Sequence, residues 1–260
     1  MTEMNSYTPG TFCWVELGTS DAAAAKKFYG QLFGWSITDS PAGPDMVYSM
    51  GQIEGKNVAG LYQQGPQEQG IPPHWNSYVS AASAADIVAK AKAAGGTALM
   101  EAADVMEFGR MAVIQDSTGA VVGVWEPRVH IGAQLVNQPG ALCWNELATK
   151  DAQKAAEFYS QVFGWEGRTQ PMGDNEYTTF YNGENMNAGM MQMTEQWGDV
   201  PPHWMVYFAV ADCDGDAEKI KAMGGNILVP PTDIPSVGRF AIAQDPQGAA
   251  FAIIKLDMPG

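Results

Sequence analysis

Two stretches decide how this chain is read: Gly10–Trp35, GTFCWVELGTSDAAAAKKFYGQLFGW, and Gly140–Trp165, GALCWNELATKDAQKAAEFYSQVFGW. Aligned without a gap at an offset of 130, they agree at 15 of 26 positions. An internal match of this quality means that one architecture is built twice. Beyond Trp35 the offset becomes 129, and the match runs on through Tyr48 and Tyr177, Ala59-Gly60 and Ala188-Gly189, and the segments IPPHW (71–75) and VPPHW (200–204). It continues at Gly95-Gly96 and Gly224-Gly225 and at Gly109-Arg110 and Gly238-Arg239. It closes with Gln115-Asp116-x-x-Gly119 against Gln244-Asp245-x-x-Gly248. The lost residue falls in the Pro- and Gly-rich loop after Trp35. Two homologous domains are therefore expected, 8–127 and 140–258, joined by a linker at 128–139 that carries Gly132, Asn137 and Pro139.

Within the quoted stretch, residues 12–17 alternate as a strand, with Phe12, Trp14 and Glu16 expected on one face and Cys13, Val15 and Leu17 on the other. Thr19, Ser20 and Asp21 supply oxygens that can accept the free N–H groups of a first helical turn. Ala25, Phe28, Tyr29, Leu32 and Phe33 then recur at spacings of three and four, and Gly34 stops the helix. Ala155, Phe158, Tyr159, Val162, Phe163 and Gly164 repeat the arrangement. Strand character follows around 47–50 and 58–63, and a further strand opens at His74. A helix over 84–94 ends at Gly95-Gly96, and strands are expected at 97–101, 111–115 and 120–125. The order strand, helix, about three strands thus occurs twice in each half, so each domain is a pair of βαβββ units of α+β class.

The 260 residues, 46% hydrophobic and 17% charged, are ample for two packed domains. Net charge is −15 and each half holds seven of the 14 basic residues. Nucleic-acid binding needs clustered Lys and Arg to displace phosphate counterions, so DNA, RNA and anionic membrane surfaces are not expected partners. No apolar run reaches the roughly 18–20 residues of a bilayer crossing, and the first residues lack the basic and apolar regions of a secretory signal. A cytoplasmic location is the expectation. The three cysteines, Cys13, Cys143 and Cys213, form no CxxC pair and read as small buried residues.

The unit order, the Phe-Tyr-x-x-x-Phe-Gly-Trp helix end and the Asp-x-x-Gly turn resemble the vicinal oxygen chelate superfamily, the glyoxalase, bleomycin-resistance and extradiol-dioxygenase group. With PPHW and Gly-Arg in each copy, the tandem form resembles its two-domain glyoxalase-like branch, often labelled "putative hydroxylase". The resemblance implies two tandem glyoxalase-like domains, each pair of units curled around an open cleft in which His and Glu from four strands hold a divalent metal. Carried onto this chain, those four positions are Trp14, Asn76, Gly123 and a site near Gly60, and in the second copy Trp144, Met205, Ala252 and a site near Gly189. None is a good ligand for Zn²⁺, Fe²⁺, Ni²⁺ or Mn²⁺. The three histidines, His74, His130 and His203, are also too scattered for a facial triad, so neither a metal nor another cofactor is expected.

Glu16 and Glu146 are the candidate catalytic carboxylates. Each shares a strand face with Trp14 or Trp144, and a poorly solvated carboxylate in an aromatic cleft can act as a general base. The same Glu16 could instead reach water or pair with Arg110. Arg110 and Arg239 could bind an anionic ligand group through their planar forks, pair with the two glutamates, or face solvent. His74 and His203 could hydrogen-bond a ligand, alongside Asn76 and Met205, or cap the strand entrance. Trp75 and Trp204 would then face the other way, under a helix. The Met-rich run at 184–193, ENMNAGMMQM, suits either an adaptable apolar cleft or core filling.

Several functions follow from these residues. The first is metal-independent binding of a small apolar or planar organic molecule, such as an antibiotic or polyketide-like metabolite, in a Trp- and Met-lined cleft. The second is a metal-independent lyase, isomerase or hydroxylase-like enzyme with Glu16 or Glu146 as base. A metal-dependent glyoxalase-type lyase with atypical ligands and a fold retained as an interaction module complete the set. Four units in one chain make a monomer with an internal pseudo-dimer possible, as well as a homo-oligomer. Sequence leaves open whether unit one pairs with unit two or with unit four.

Overall fold

The computed structural model describes residues 2–43, 46–173 and 175–257. Its elements are β1 (Thr2–Glu3), β2 (Phe12–Thr19), α1 (Ala22–Phe33), β3 (Ser36–Pro41), β4 (Val47–Ile53), β5 (Lys56–Gln63), β6 (His74–Ser80), α2 (Ala84–Ala93), β7 (Thr97–Val105), β8 (Gly109–Gln115) and β9 (Val121–Pro127). After β10 (Leu135–Val136) the order repeats as β11 (Leu142–Thr149), α3 (Ala152–Phe163), β12 (Glu166–Met172), β13 (Asn175–Asn182), β14 (Asn185–Gln192), β15 (His203–Ala209), α4 (Cys213–Ala222), β16 (Asn226–Ile234), β17 (Gly238–Gln244) and β18 (Ala250–Leu256). Single 3₁₀ turns lie at Pro66–Glu68 and Glu195–Trp197.

The local chemistry explains the repeated start. Asp21 Oδ1 accepts from the Ala24 N–H at 3.0 Å, Asp151 Oδ1 accepts from Lys154 N–H at 3.0 Å, and Gly34 and Gly164 take φ of +72° and +76°. The buried faces of α1 and α3 are those expected from the spacing, Ala25-Phe28-Tyr29-Leu32 and Ala155-Phe158-Tyr159-Val162. One expectation on β2 is corrected. A register shift lies between Phe12, opposite Val79, and Trp14, opposite Tyr78. The extra residue, Cys13, forms a bulge. Phe12 therefore packs with Trp165 and Trp204 on the helix side and does not share the face of Trp14 and Glu16.

Each domain forms one eight-stranded sheet, in the order β3-β4-β5-β2-β6-β9-β8-β7 and β12-β13-β14-β11-β15-β18-β17-β16. Unit one therefore pairs with unit two of its own domain, through the antiparallel contact of β2 with β6 and of β11 with β15. The edge strands β3 and β12 lie where only a loop was read, because their residues are mostly exposed and lack apolar alternation. The linker is partly ordered by pairing of β10 with β1.

The helix faces of the two sheets meet each other across the domains. One core joins α1 and β5 of the first domain to Val206, Phe208, Ile220 and Phe251 of the second, and the other joins α2 and β9 to Phe158, Tyr159 and Trp165. Trp35 Nε1 donates to Gly140 O and Trp165 Nε1 to Gly10 O, each at 2.7 Å. Trp75 and Trp204 lie on this side, as the strand alternation requires. The opposite face of each sheet is left to form a cleft.

Candidate functional site

On the cleft face of the first domain, Trp14 and Glu16 project from β2, Tyr48 from β4 and Tyr78 from β6. Tyr48 Oη donates to Glu16 Oε2 at 2.8 Å, Tyr78 Oη donates to Glu16 Oε1, and Trp14 Nε1 donates to Tyr48 Oη at 3.0 Å. The second domain repeats the cluster. Tyr177 Oη reaches Glu146 Oε2 at 2.8 Å, Tyr207 Oη reaches Glu146 Oε1 at 3.0 Å, and Trp144 Nε1 reaches Tyr177 Oη at 3.1 Å. Burial pushes both glutamate carboxyls above their ordinary range, and the tyrosine hydroxyls offset part of that rise. The same burial, with the neighbouring carboxylate, raises the four tyrosines, so they stay protonated and remain donors.

Tyrosine enters these sites because glycine makes room for it. Gly60 stands beside Glu16 in register, and a Cβ there would overlap the Tyr48 hydroxyl; at Gly189 it would overlap the Tyr177 hydroxyl. Gly123, opposite Tyr78, is likewise covered by that ring. The positions from which metal-binding side chains would project are thus occupied by tyrosine rings, and the remaining donors, an indole, an amide and a thioether, do not suit a hard divalent ion. Among the described residues, no group of three or more His, Cys, Asp or Glu could hold a metal. The residues present do not fit the family's metal.

Both PPHW histidines stand at the cleft mouths. His74 Nδ1 lies 2.8 Å from Pro72 O and its Nε2 3.2 Å from Asn76 Nδ2; His203 Nδ1 lies 2.8 Å from Pro201 O. Each ring therefore donates from Nδ1 and keeps Nε2 as an acceptor. Arg110 and Arg239 are on the other face of β8 and β17, in step with Ala112 and Ala241 of the domain cores. Arg110 Nε is 3.1 Å from Asp104, and Arg239 pairs with Asp214 and Asp233 at 2.7 and 2.9 Å. Neither touches a glutamate of the clefts, because strand alternation turns them outward. The Met-rich run divides in the same way: Met190 is core, Met186 is exposed, and Met191 is on the face of Gly189.

The two clefts differ in their surroundings. In the first, His130 of the linker packs edge-on against Trp14 at 4.6 Å, and Trp125 Nε1 donates to His130 O at 2.8 Å. Burial lowers the His130 imidazole to about 4, so it is neutral. Beside the second, at the junction of the two domains, a cavity of about 790 Å³ opens, walled by Trp197, Met205, Leu228, Ile242 and Ala250 of the second domain and by His74, Asn76 and Val121 of the first; the Tyr177-Glu146-Tyr207 cluster does not line it. Sequence reasoning singled out the glutamates and tryptophans but missed Tyr48, Tyr78, Tyr177, Tyr207 and Trp197. The available signal was the pairing of Tyr48 and Tyr78 with Tyr177 and Tyr207 in the repeat, together with glycine at sheet positions where a side chain would be expected.

These features define a tandem two-cleft protein, and the sequence carries it further: the chain belongs to the Glyoxalase/Bleomycin resistance protein/Dioxygenase superfamily, matched over residues 11–124 and 140–253. Among its relatives, the Mycobacterium tuberculosis protein named "Putative glyoxylase CFP32" is 43% identical over 258 residues, covering 98% of each chain. The anthracycline biosynthesis protein DnrV of Streptomyces peucetius is 33% identical, covering 97% of this chain and 96% of its own. Of solved structures, the Mn(II)-bound glyoxalase of Novosphingobium aromaticivorans superposes with a TM-score of 0.67 at 18% identity, over 96% of this chain and 83% of that one. At that identity the likeness concerns the fold alone.

Proposed function

We propose that this protein binds a small, planar, largely apolar organic molecule in the cavity beside the second domain's cleft, and does so without a metal. The observation that carries this reading is the cavity of about 790 Å³ with its wall of Trp197, Met205, Leu228, Ile242 and Ala250. Met205 is the strand neighbour of Glu146, so the apolar wall adjoins the Tyr177-Glu146-Tyr207 cluster. Each 100 Å² of apolar ligand surface covered contributes about 2.5 kcal/mol, before the cost of immobilising the ligand. Flat rings suit a wall of indole and thioether. The similarity to a protein named for anthracycline biosynthesis supports a polycyclic ligand. The test is a thermal-shift screen of planar polycyclic compounds, anthracyclines included, with and without EDTA. A ligand-dependent rise in Tm that EDTA leaves intact is expected; no rise with any compound overturns the proposal.

A second reading, catalysis with Glu146 as general base in a lyase, isomerase or hydroxylase-like reaction, is favoured by one observation. Burial raises the proton affinity of its carboxyl while two tyrosines hold it in place. Under that reading a ligand found in the screen is turned over, and Glu146→Gln abolishes turnover with the fold retained. Turnover that survives the substitution removes Glu146 from the reaction.

A further inference from the structure

A duplicated chain with two matching clefts suggests two ligands. We infer instead that one ligand is held per chain, lying across the domain junction with its apolar body on the second domain and its hydroxyl groups donating to Asn76 of the first domain and His203 of the second. The inference rests on the small-molecule reading above and adds its stoichiometry, its placement and the ligand's polarity.

Three observations carry it. First, the cavity is shared: His74 and Asn76 line it from one side and His203 and Met205 from the other. Second, aligned positions of the two copies differ where the wall is made. Trp197 of the second domain corresponds to Glu68 of the first and Met205 to Asn76. Glu68 accepts from Tyr62 Oη at 2.8 Å, so a hydrogen-bonded carboxylate stands where the second domain offers an indole. Third, the first cleft is covered from within. Trp14 is 3% exposed under His130, whereas Trp144 remains half-buried.

The polar groups specify the ligand's chemistry. With Nδ1 committed to Pro201 O, His203 presents Nε2 as an acceptor, and Asn76 presents its carbonyl while its amide faces His74. Acceptors at both edges of an apolar cavity select a planar aromatic compound that carries hydroxyl donors.

Isothermal titration of the full chain with alizarin, a planar dihydroxyanthraquinone, tests the inference. One equivalent per chain is expected. Leu228→Asp, at an exposed wall position, should weaken binding by about tenfold or more, and Asn76→Ala by about threefold to tenfold. Leu99→Asp, the aligned and likewise exposed position of the first domain, should leave binding unchanged. Two equivalents, equal effects of Leu99→Asp and Leu228→Asp, or binding indifferent to Asn76→Ala overturns the single shared site and leaves the small-molecule reading standing. Failure of alizarin and of every planar polycyclic compound in the screen rejects the small-molecule reading, and this inference with it.

Discussion

Tyr29 of the first domain donates its hydroxyl proton to Asp245 Oδ2 of the second at 3.0 Å while accepting from Trp75 Nε1 at 3.0 Å. The mirror set runs from Trp204 Nε1 to Tyr159 Oη and from Tyr159 to Asp116 Oδ2, both at 2.8 Å. The repeated motifs therefore act across the two domains: helix and PPHW of one copy are tied to the Asp-x-x-Gly turn of the other. Each aspartate also uses Oδ1 to gather the N–H groups of its own turn, Asp245 from Gln247 and Ala249.

Tyr29→Phe or Tyr159→Phe removes one hydroxyl and leaves both an indole N–H and a carboxylate oxygen short of a partner in the core. A loss of about 1–3 kcal/mol is expected for each, read by urea unfolding. A loss below a few tenths would show that the relay does not hold the domains together.

Stability should depend on pH through Glu16 and Glu146. Burial raises both carboxyls above their ordinary 4.5, so the folded state holds these protons more tightly than the unfolded chain. Their contribution is most favourable below about pH 4.5 and is lost as pH rises through the folded-state values. Relative to the wild type, the Glu16→Gln/Glu146→Gln double variant should gain in Tm as pH increases over that window. Parallel Tm profiles would contradict the assignment.

Gly189→Ala places a methyl group against the Tyr177 hydroxyl, and Gly60→Ala does the same to Tyr48. Displacing either ring breaks its bond to the glutamate, and a cost of about 1–3 kcal/mol is expected. Calorimetry should show a lower Tm for both.

Purified protein should contain no stoichiometric Mn, Fe, Ni or Zn by elemental analysis, since tyrosine rings fill the positions from which ligands would project. One equivalent of any of these metals, with a Tm that falls on chelation, would show that the described geometry rearranges to bind it.

Much of the fold was legible because it was written twice. The helix caps at Asp21 and Gly34, the amphipathic face of α1 and the strand opening at His74 are local features, set by nearest-neighbour chemistry and spacing. The edge strands β3 and β12 were not legible, since exposed residues leave no periodic signal. The bulge at Cys13 was hidden for a related reason. One added residue shifts the face of Phe12, and nothing in the alternation marks it.

By itself the sequence determined the duplication, the α+β class, the placement of Glu16 and Trp14 on one face, and the poor match to a metal-binding set, because these depend on composition and short-range period. Tertiary structure alone decided that Tyr48 and Tyr78 converge on Glu16, that Arg110 and Arg239 turn away from the clefts, and that units pair within a domain. Each is a relation between strands far apart in the chain, fixed by sheet register and by the space a glycine leaves. The difference between the two clefts has the same origin. His130 covers Trp14 because the linker folds back over the first domain, a contact between residues 116 positions apart that no local pattern encodes.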